Sequence, residues 1–155
     1  MNRETDFARN RATEEEIAGH LLLCDATFVP PLSSRVEISA YAHQLSAHAI
    51  RFEAWAEGAL VALVAIYCND ASHHLAYITS VSVLPGSQGA GISSQLMEQC
   101  IEHVREAGFE SIELEVDSEN DKALHMYARH GFVTRGKSSR NVIMGLNLSG
   151  SHWHE

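Results

Sequence analysis

Residues 81–94 read V-S-V-L-P-G-S-Q-G-A-G-I-S-S, and the reading of this stretch decides the fold. An apolar run from Leu75 to Leu84 has strand character and stops at Pro85. Gly86, Gly89 and Gly91 follow in a short loop. Ile92, Leu96, Cys100 and Val104 then recur at helical spacing, and Gly108 after Ala107 is a helix stop signal. A strand, a glycine-rich turn and a helix N-terminus, in that order, present N–H groups that lack intrahelical partners, at the positive end of the helix dipole. Such a turn suits a phosphate or a diphosphate.

Missing residues narrow the ligand. A nucleoside-triphosphate loop needs Gly, four residues, then Gly-Lys-Ser/Thr. From Gly86 that spacing is met by Gly91 and Ser93, but Ile92 stands where the lysine belongs. A dinucleotide fingerprint needs G-x-G-x-x-G; Gly89 and Gly91 fit, but Ser94 replaces the third glycine. Too little chain follows for the further βαβ units of a dinucleotide-binding sheet. On the loop alone, a tight strand-to-helix turn that binds nothing also stays open.

Outward from the loop, the chain alternates helices and strands in an α+β order, without repeats, low-complexity segments or linkers. Thr13 and Glu16 form a capping box before a helix carrying Ile17, Leu21 and Cys24 on one face. Residues 28–33 break it. Ser34 and Glu37 read as a second capping box, before a helix lined by Ile38, Tyr41 and Leu45. Ile50 to Trp55 and Leu60 to Tyr67 are strands joined by Glu57-Gly58, and Asn69-Asp70 turns into the strand at Leu75. Short turns predict antiparallel hairpins. Ile112, Leu114 and Val116 alternate as a strand, Asn120 or Ser118 caps a helix ending at Gly131, and two strands lie near 132–135 and 141–148. One domain over residues 1–155 is expected, with 1–12 and 149–155 as loose tails.

Composition sets the outer bounds. A chain of 155 residues builds one domain with a proper core. No apolar run is long enough to span a bilayer, and Met1 to Arg11 holds no signal-peptide stretch, so a cytoplasmic protein without membrane contact is expected. Cys24, Cys68 and Cys100 are odd in number and set in apolar patterns, which reads as reduced core thiols. A net charge of −9 argues against a nucleic-acid partner and leaves room for a cationic or neutral one. The ten histidines show no ligand spacing beside a carboxylate, so no metal is expected.

Two segments carry a resemblance. Val83, Pro85, Gln88, Gly91 and Ser93 resemble motif A of the Gcn5-related N-acetyltransferase (GNAT) family, whose pattern is Gln/Arg-x-x-Gly-x-Gly/Ala after a V-x-P strand end. Residues 120–132, with Asn120, Ala123, Tyr127, Gly131 and Phe132 in register, resemble its motif B. The likeness covers roughly residues 50–148. Two positions depart from it: Ser93 stands where the family prefers Gly or Ala, and Ala90 where many members carry a basic residue.

The resemblance implies a mixed, mostly antiparallel sheet of six to seven strands flanked by about four helices, splayed open between the fourth and fifth strands. It implies acetyl-CoA as co-substrate, with its pantetheine arm along the backbone of Val81, Ser82 and Val83 and a bulge there. The diphosphate would lie over Gln88, Gly89, Ala90, Gly91, Ile92, Ser93 and Ser94. Tyr127 would protonate the departing thiolate, though spacing alone reads it as a core aromatic. Asn120 would contact the cofactor, though as a helix cap it needs no such role. The general base is not legible: Tyr77 and Thr79 fall near the family's usual glutamate, leaving Glu115, His73, His74 and His125 as candidates acting through water. The acceptor would enter over residues 28–35 and 135–140, with Phe28, Pro30, Pro31 and Leu32 as an apolar wall and Arg35 for an anionic group, although a plain turn-and-cap serves 31–34 as well. The expected activity is acetyl transfer to a primary amine of a small molecule, by direct attack in a ternary complex. A non-catalytic acyl-CoA sensor and a protein or peptide N-acetyltransferase are the alternatives; a homodimer is compatible with either.

Overall fold

The computed structural model describes residues 4–148. In chain order these form β1 (Asp6–Arg9), α1 (Glu14–Cys24), α2 (Ile38–His48), β2 (Ile50–Ala56), β3 (Ala59–Tyr67), β4 (Leu75–Val83), α3 (Ile92–Glu106), β5 (Ser111–Asp117), α4 (Asp121–Arg129), β6 (Val133–Ser138) and β7 (Asn141–Asn147). Short 3-10 turns occupy Asp25–Thr27, Leu32–Ser34 and Pro85–Ser87. The seven strands form one sheet in the order β1-β2-β3-β4-β5-β7-β6, and every neighbouring pair is antiparallel except β4–β5. The mixed, mostly antiparallel sheet with four helices is therefore as the sequence led us to expect.

Local chemistry accounts for the hairpins and caps. Glu57 and Gly58 both have positive φ (54° and 79°), the two-residue turn geometry that matches strand twist between β2 and β3. Thr13 caps α1 with the reciprocal Glu16 contact. The expected Ser34–Glu37 box does not form. Ser34 lies in a 3-10 turn and its hydroxyl donates to the Pro31 carbonyl, while the Glu37 carboxylate itself accepts from the N–H groups of Ser39 and Ala40. A glutamate side chain reaches the first-turn donors as well as a serine would, and its charge favours the helix dipole.

Helices cover both faces. On one, Leu96, Met97, Cys100 and Val104 of α3 pack with Phe52, Ala62, Val64, Ile66 and Ile112 of the sheet. On the other, Ile17 and Leu21 of α1 and Ala42 and Leu45 of α2 cover Trp55, Leu63 and Ala65. The interior strand β3 is buried over seven consecutive residues, consistent with a sheet covered on both sides.

The N-terminal segment differs from the tail expected over 1–12. Asp6–Arg9 is an edge strand paired with β2, and Ala12 is buried. The buried Glu53 carboxylate holds it, accepting from the N–H groups of Arg11 (3.0 Å) and Ala12 (3.1 and 3.2 Å), from Trp55 Nε1 (3.1 Å) and from Arg51 Nε (3.3 Å). The strand carries no apolar alternation, so its signal lies 40-odd residues away in Glu53. Residues 149–155 lie outside the described residues.

Candidate active site

The sheet opens where the glycine loop begins. β4 and β5 pair only at Leu75↔Ser111, Ala76↔Ile112 and Tyr77↔Glu113. Beyond that point the strands part, and Thr79 to Val83 of β4 face Leu114 to Asp117 of β5 across a cleft of about 600 Å³. Backbone polar groups on parted strands need partners.

The strand bulge lies at Thr79, two residues before the expected Val81–Val83. Ala65 pairs with Ser80 and Ile66 with Ile78, which leaves Thr79 unopposed. The extra residue changes which side chains face which layer. Ala76 and Ile78 join the α3-side core, and after the bulge Val81 and Val83 pack against that same core. Ser80 and Ser82 turn toward α1 and α2 instead. The Tyr41 hydroxyl of α2 donates to the Thr79 carbonyl (2.8 Å) and lies 2.7 Å from Thr79 Oγ1, so the bulge is anchored from outside the strand. Burial raises the Tyr41 phenol above its ordinary pKa, with the Thr79 hydrogen bond acting against it.

Ser82 joins a buried polar chain. His20 Nε2 lies 2.8 Å from Ser82 Oγ and 3.6 Å from Cys24 Sγ, and Nδ1 lies 2.9 Å from the Leu60 carbonyl. Nδ1–H donates to that carbonyl, and in the neutral ring Nε2 then accepts from the Ser82 hydroxyl. Burial lowers the His20 pKa from 6.5. The unfolded chain takes up this proton below about pH 6.5 while the native ring resists it, so stability present above that pH is lost as pH falls toward the native pKa. Urea unfolding at pH 7.5 and 5.5 tests this: the parent should lose about 1 kcal/mol more than His20→Gln over that step. Equal losses would show that His20 is not held neutral.

The other end of the cleft is the glycine loop. Gly91, at φ +76°, is the N-cap of α3 and supplies no side chain to the first-turn N–H groups. Thr13, Glu37 and Asn120 cap the other three helices through their side chains, and the first turn of α3 carries no acidic residue. Its orphan donors, with the Ser93 hydroxyl beside them, have the chemistry of an anion site. Ser80, buried on the α1 and α2 side beside the Tyr41 hydroxyl, lines the cleft as well. These features fit an extended ligand with a diphosphate at one end and hydrogen-bonding groups along its arm.

The sequence-derived candidates mostly converge. Val81, Ser82, Val83, Gln88, Gly89, Gly91, Ile92, Ser93, Asn120 and Tyr127 all line the cleft. Ala90 and Ser94 are not among the lining residues, and the Ser94 hydroxyl lies 2.9 Å from His130 Nε2 at the end of α4. Tyr127 is 8% exposed on the inner face of α4 and packs beside Phe132; burial pushes its phenol far above the ordinary range, so it stays protonated at neutral pH. The Asn120 carboxamide does cap α4, accepting from Ala123 N–H at 3.3 Å. Of the base candidates, Glu115 lines the cleft, with Asn141 Nδ2 donating to it at 3.2 Å. His74 pairs with Glu110 and His73 packs on Phe109, away from it. Phe28, Pro30, Leu32 and Arg35 line the acceptor end; Pro31 does not. Tyr41 and Ser80 also line the cleft, as does Lys122 beside Gln88 at the loop end, and none of the three was singled out as a site residue from the sequence. Among the described residues no group of three His, Cys, Asp or Glu side chains is placed to hold a metal, and no helix is long and apolar enough to cross a membrane. Burial raises the thiols of Cys24 and Cys68 to about 11, so neither is a ready nucleophile.

The sheet is splayed beside an uncapped helix N-terminus, with the buried Tyr127 phenol lining the cleft between them. The chain belongs to the acetyltransferase (GNAT) family, whose model matches residues 12–132. It is 33% identical over 85 residues to the N-alpha-acetyltransferase MAK3 of Arabidopsis thaliana, covering 53% of this chain and 45% of that protein. It is 33% identical over 77 residues to the mycothiol acetyltransferase of Beutenbergia cavernae, covering 50% and 25%. The chain thus spans less than half the length of these relatives. Among solved structures, a ribosomal-protein alanine N-acetyltransferase of Escherichia coli superposes with TM-score 0.75 at 18% identity, over 98% of this chain and 99% of that one. An N-acetyltransferase of Thermoplasma acidophilum in complex with coenzyme A superposes with TM-score 0.71 at 11% identity, over 92% and 99%. At such identities the likeness is one of fold.

Proposed function

We propose that the protein is an acetyl-CoA-dependent N-acetyltransferase that moves the acetyl group to a primary amine of a small molecule by direct attack in a ternary complex. The observation that carries this reading is the single continuous cleft, which joins the α3 N-terminus, the parted β4 and β5 strands, Tyr127, and the Arg35–Tyr41–Tyr77 end. The thioester supplies an activated acetyl group. The α3 N–H groups hold the diphosphate, and β4 backbone groups beside the bulge hold the arm and polarise the carbonyl. Glu115 accepts the amine proton, directly or through water, and the Tyr127 hydroxyl gives a proton to the departing sulfur. A cleft of about 600 Å³ shared with the arm favours a small acceptor. A peptide N-terminus is the second reading, supported by the names of the Arabidopsis and Escherichia coli relatives. Raised cysteine pKa values and free thiols suit a reducing compartment, and we assign the protein to the cytoplasm.

Two measurements test this. In a thermal-shift series CoA should stabilise the protein, and ATP-Mg and NAD should not, since a ligand bound only by the native state stabilises in proportion to the logarithm of its excess over Kd. Protection by ATP-Mg without protection by CoA would overturn the loop assignment. A thiol-release screen of small amines beside short peptides then separates the two acceptor classes.

A further inference from the structure

The glycine loop lacks a cation of its own, Ala90 standing where one would serve, yet a cation reaches the loop from elsewhere. Lys122 is the second residue of α4, and its ammonium lies 3.4 Å from Gln88 Oε1, 34 residues away in sequence, across the mouth of the cleft. Among the described residues that line the cleft only Arg35 and Lys122 are basic, and Arg35 sits at the acceptor end on the segment before α2. Lys122 is thus the sole lysine or arginine lining the loop end, in a protein of net charge −9.

Its position is electrostatically poor for the free protein. A cation in the first turn of a helix opposes the dipole of that helix. The mouth also receives the positive end of α3, whose first-turn N–H groups have no side-chain cap. No carboxylate pairs with Lys122 among the described residues, although Glu119 and Asp121 are sequence neighbours; its one partner is the neutral Gln88 amide. The α4 N-terminus is already capped by the Asn120 carboxamide, but the uncapped α3 N-terminus and the Lys122 ammonium face the same mouth, and a polyanion there satisfies both.

We propose that Lys122 is the counter-cation of the bound diphosphate, delivered from α4 in place of a basic residue in the loop, so that it closes over the ligand opposite the α3 N-terminus. This rests on the CoA-binding reading above. The contact is a charge-assisted hydrogen bond between an ammonium and a phosphoryl oxygen. Gln88 holds the side chain across the mouth until the ligand arrives.

Isothermal titration of the full chain with CoA and with 3′-dephospho-CoA tests it. Lys122→Gln should weaken both ligands about tenfold, and Lys122→Arg should keep most of the affinity. The gap between parent and Lys122→Gln should shrink as salt is raised from 0.05 to 0.5 M, because an exposed charge pair is screened. Without ligand, Lys122→Gln should melt no lower than the parent. Loss for CoA alone would mean that Lys122 reads the 3′-phosphate and would overturn the assignment, as would equal affinities of parent and Lys122→Gln. A parent that binds neither ligand would instead refute the CoA reading itself, before any variant is compared.

Discussion

Tyr127→Phe is expected to lower kcat by roughly ten- to a thousandfold, the usual worth of general-acid assistance. The phenol lines the cleft from the inner face of α4, and burial keeps it protonated across the working pH range. Phenylalanine retains the ring that packs beside Phe132, so the melting temperature and CoA affinity should change little. A group that acts only in the transition state lowers kcat and kcat/KM together. Steady-state kinetics with the best amine from the screen, together with titration of CoA into both proteins, give the answer. An unchanged kcat would make Tyr127 a packing residue and leave sulfur protonation to water.

Gly91→Glu is expected to abolish measurable CoA binding, a loss of at least a hundredfold. Two effects combine. The new carboxylate would stand at the helix end where the diphosphate belongs, so like charges meet at close range. Its side chain would also occupy the approach that only hydrogen now leaves open. A Cβ at Gly91 meets no other atom within 4 Å, so the cost to the free protein comes from its φ of +76°, about 1–2 kcal/mol for a non-glycine residue. Gly91→Ala carries the same strain without the charge and serves as the control. Titration should therefore show weakened binding by Gly91→Ala and none by Gly91→Glu, with both folded by circular dichroism. Parent-like affinity in Gly91→Glu would place the diphosphate elsewhere.

Much of this architecture was legible because its signals are local. The Glu57-Gly58 hairpin, the Thr13 capping box, the helical spacing of Leu96, Cys100 and Val104, and the strand–glycine–helix order each depend on residues a few positions apart, and each stands in the structure as read. The Ser34–Glu37 box failed for the same reason in reverse: two acceptors compete for one helix end, and the local pattern does not rank them.

By itself, then, the sequence determined most of the strands and helices, β1 excepted, that a glycine-rich loop leads into α3, and which residues match the two family motifs. Those properties follow from backbone sterics and from periodicity along the chain. Only the tertiary structure decided that Glu53 clamps β1 to the sheet, that the bulge falls at Thr79 and turns Ser80 and Ser82 toward α1 and α2, and that Glu115 and Lys122 reach the same cleft as Tyr127. Each of these joins residues distant in sequence, and a buried carboxylate, an unopposed strand residue or a cation facing a helix end leaves no periodic trace in the chain that carries it.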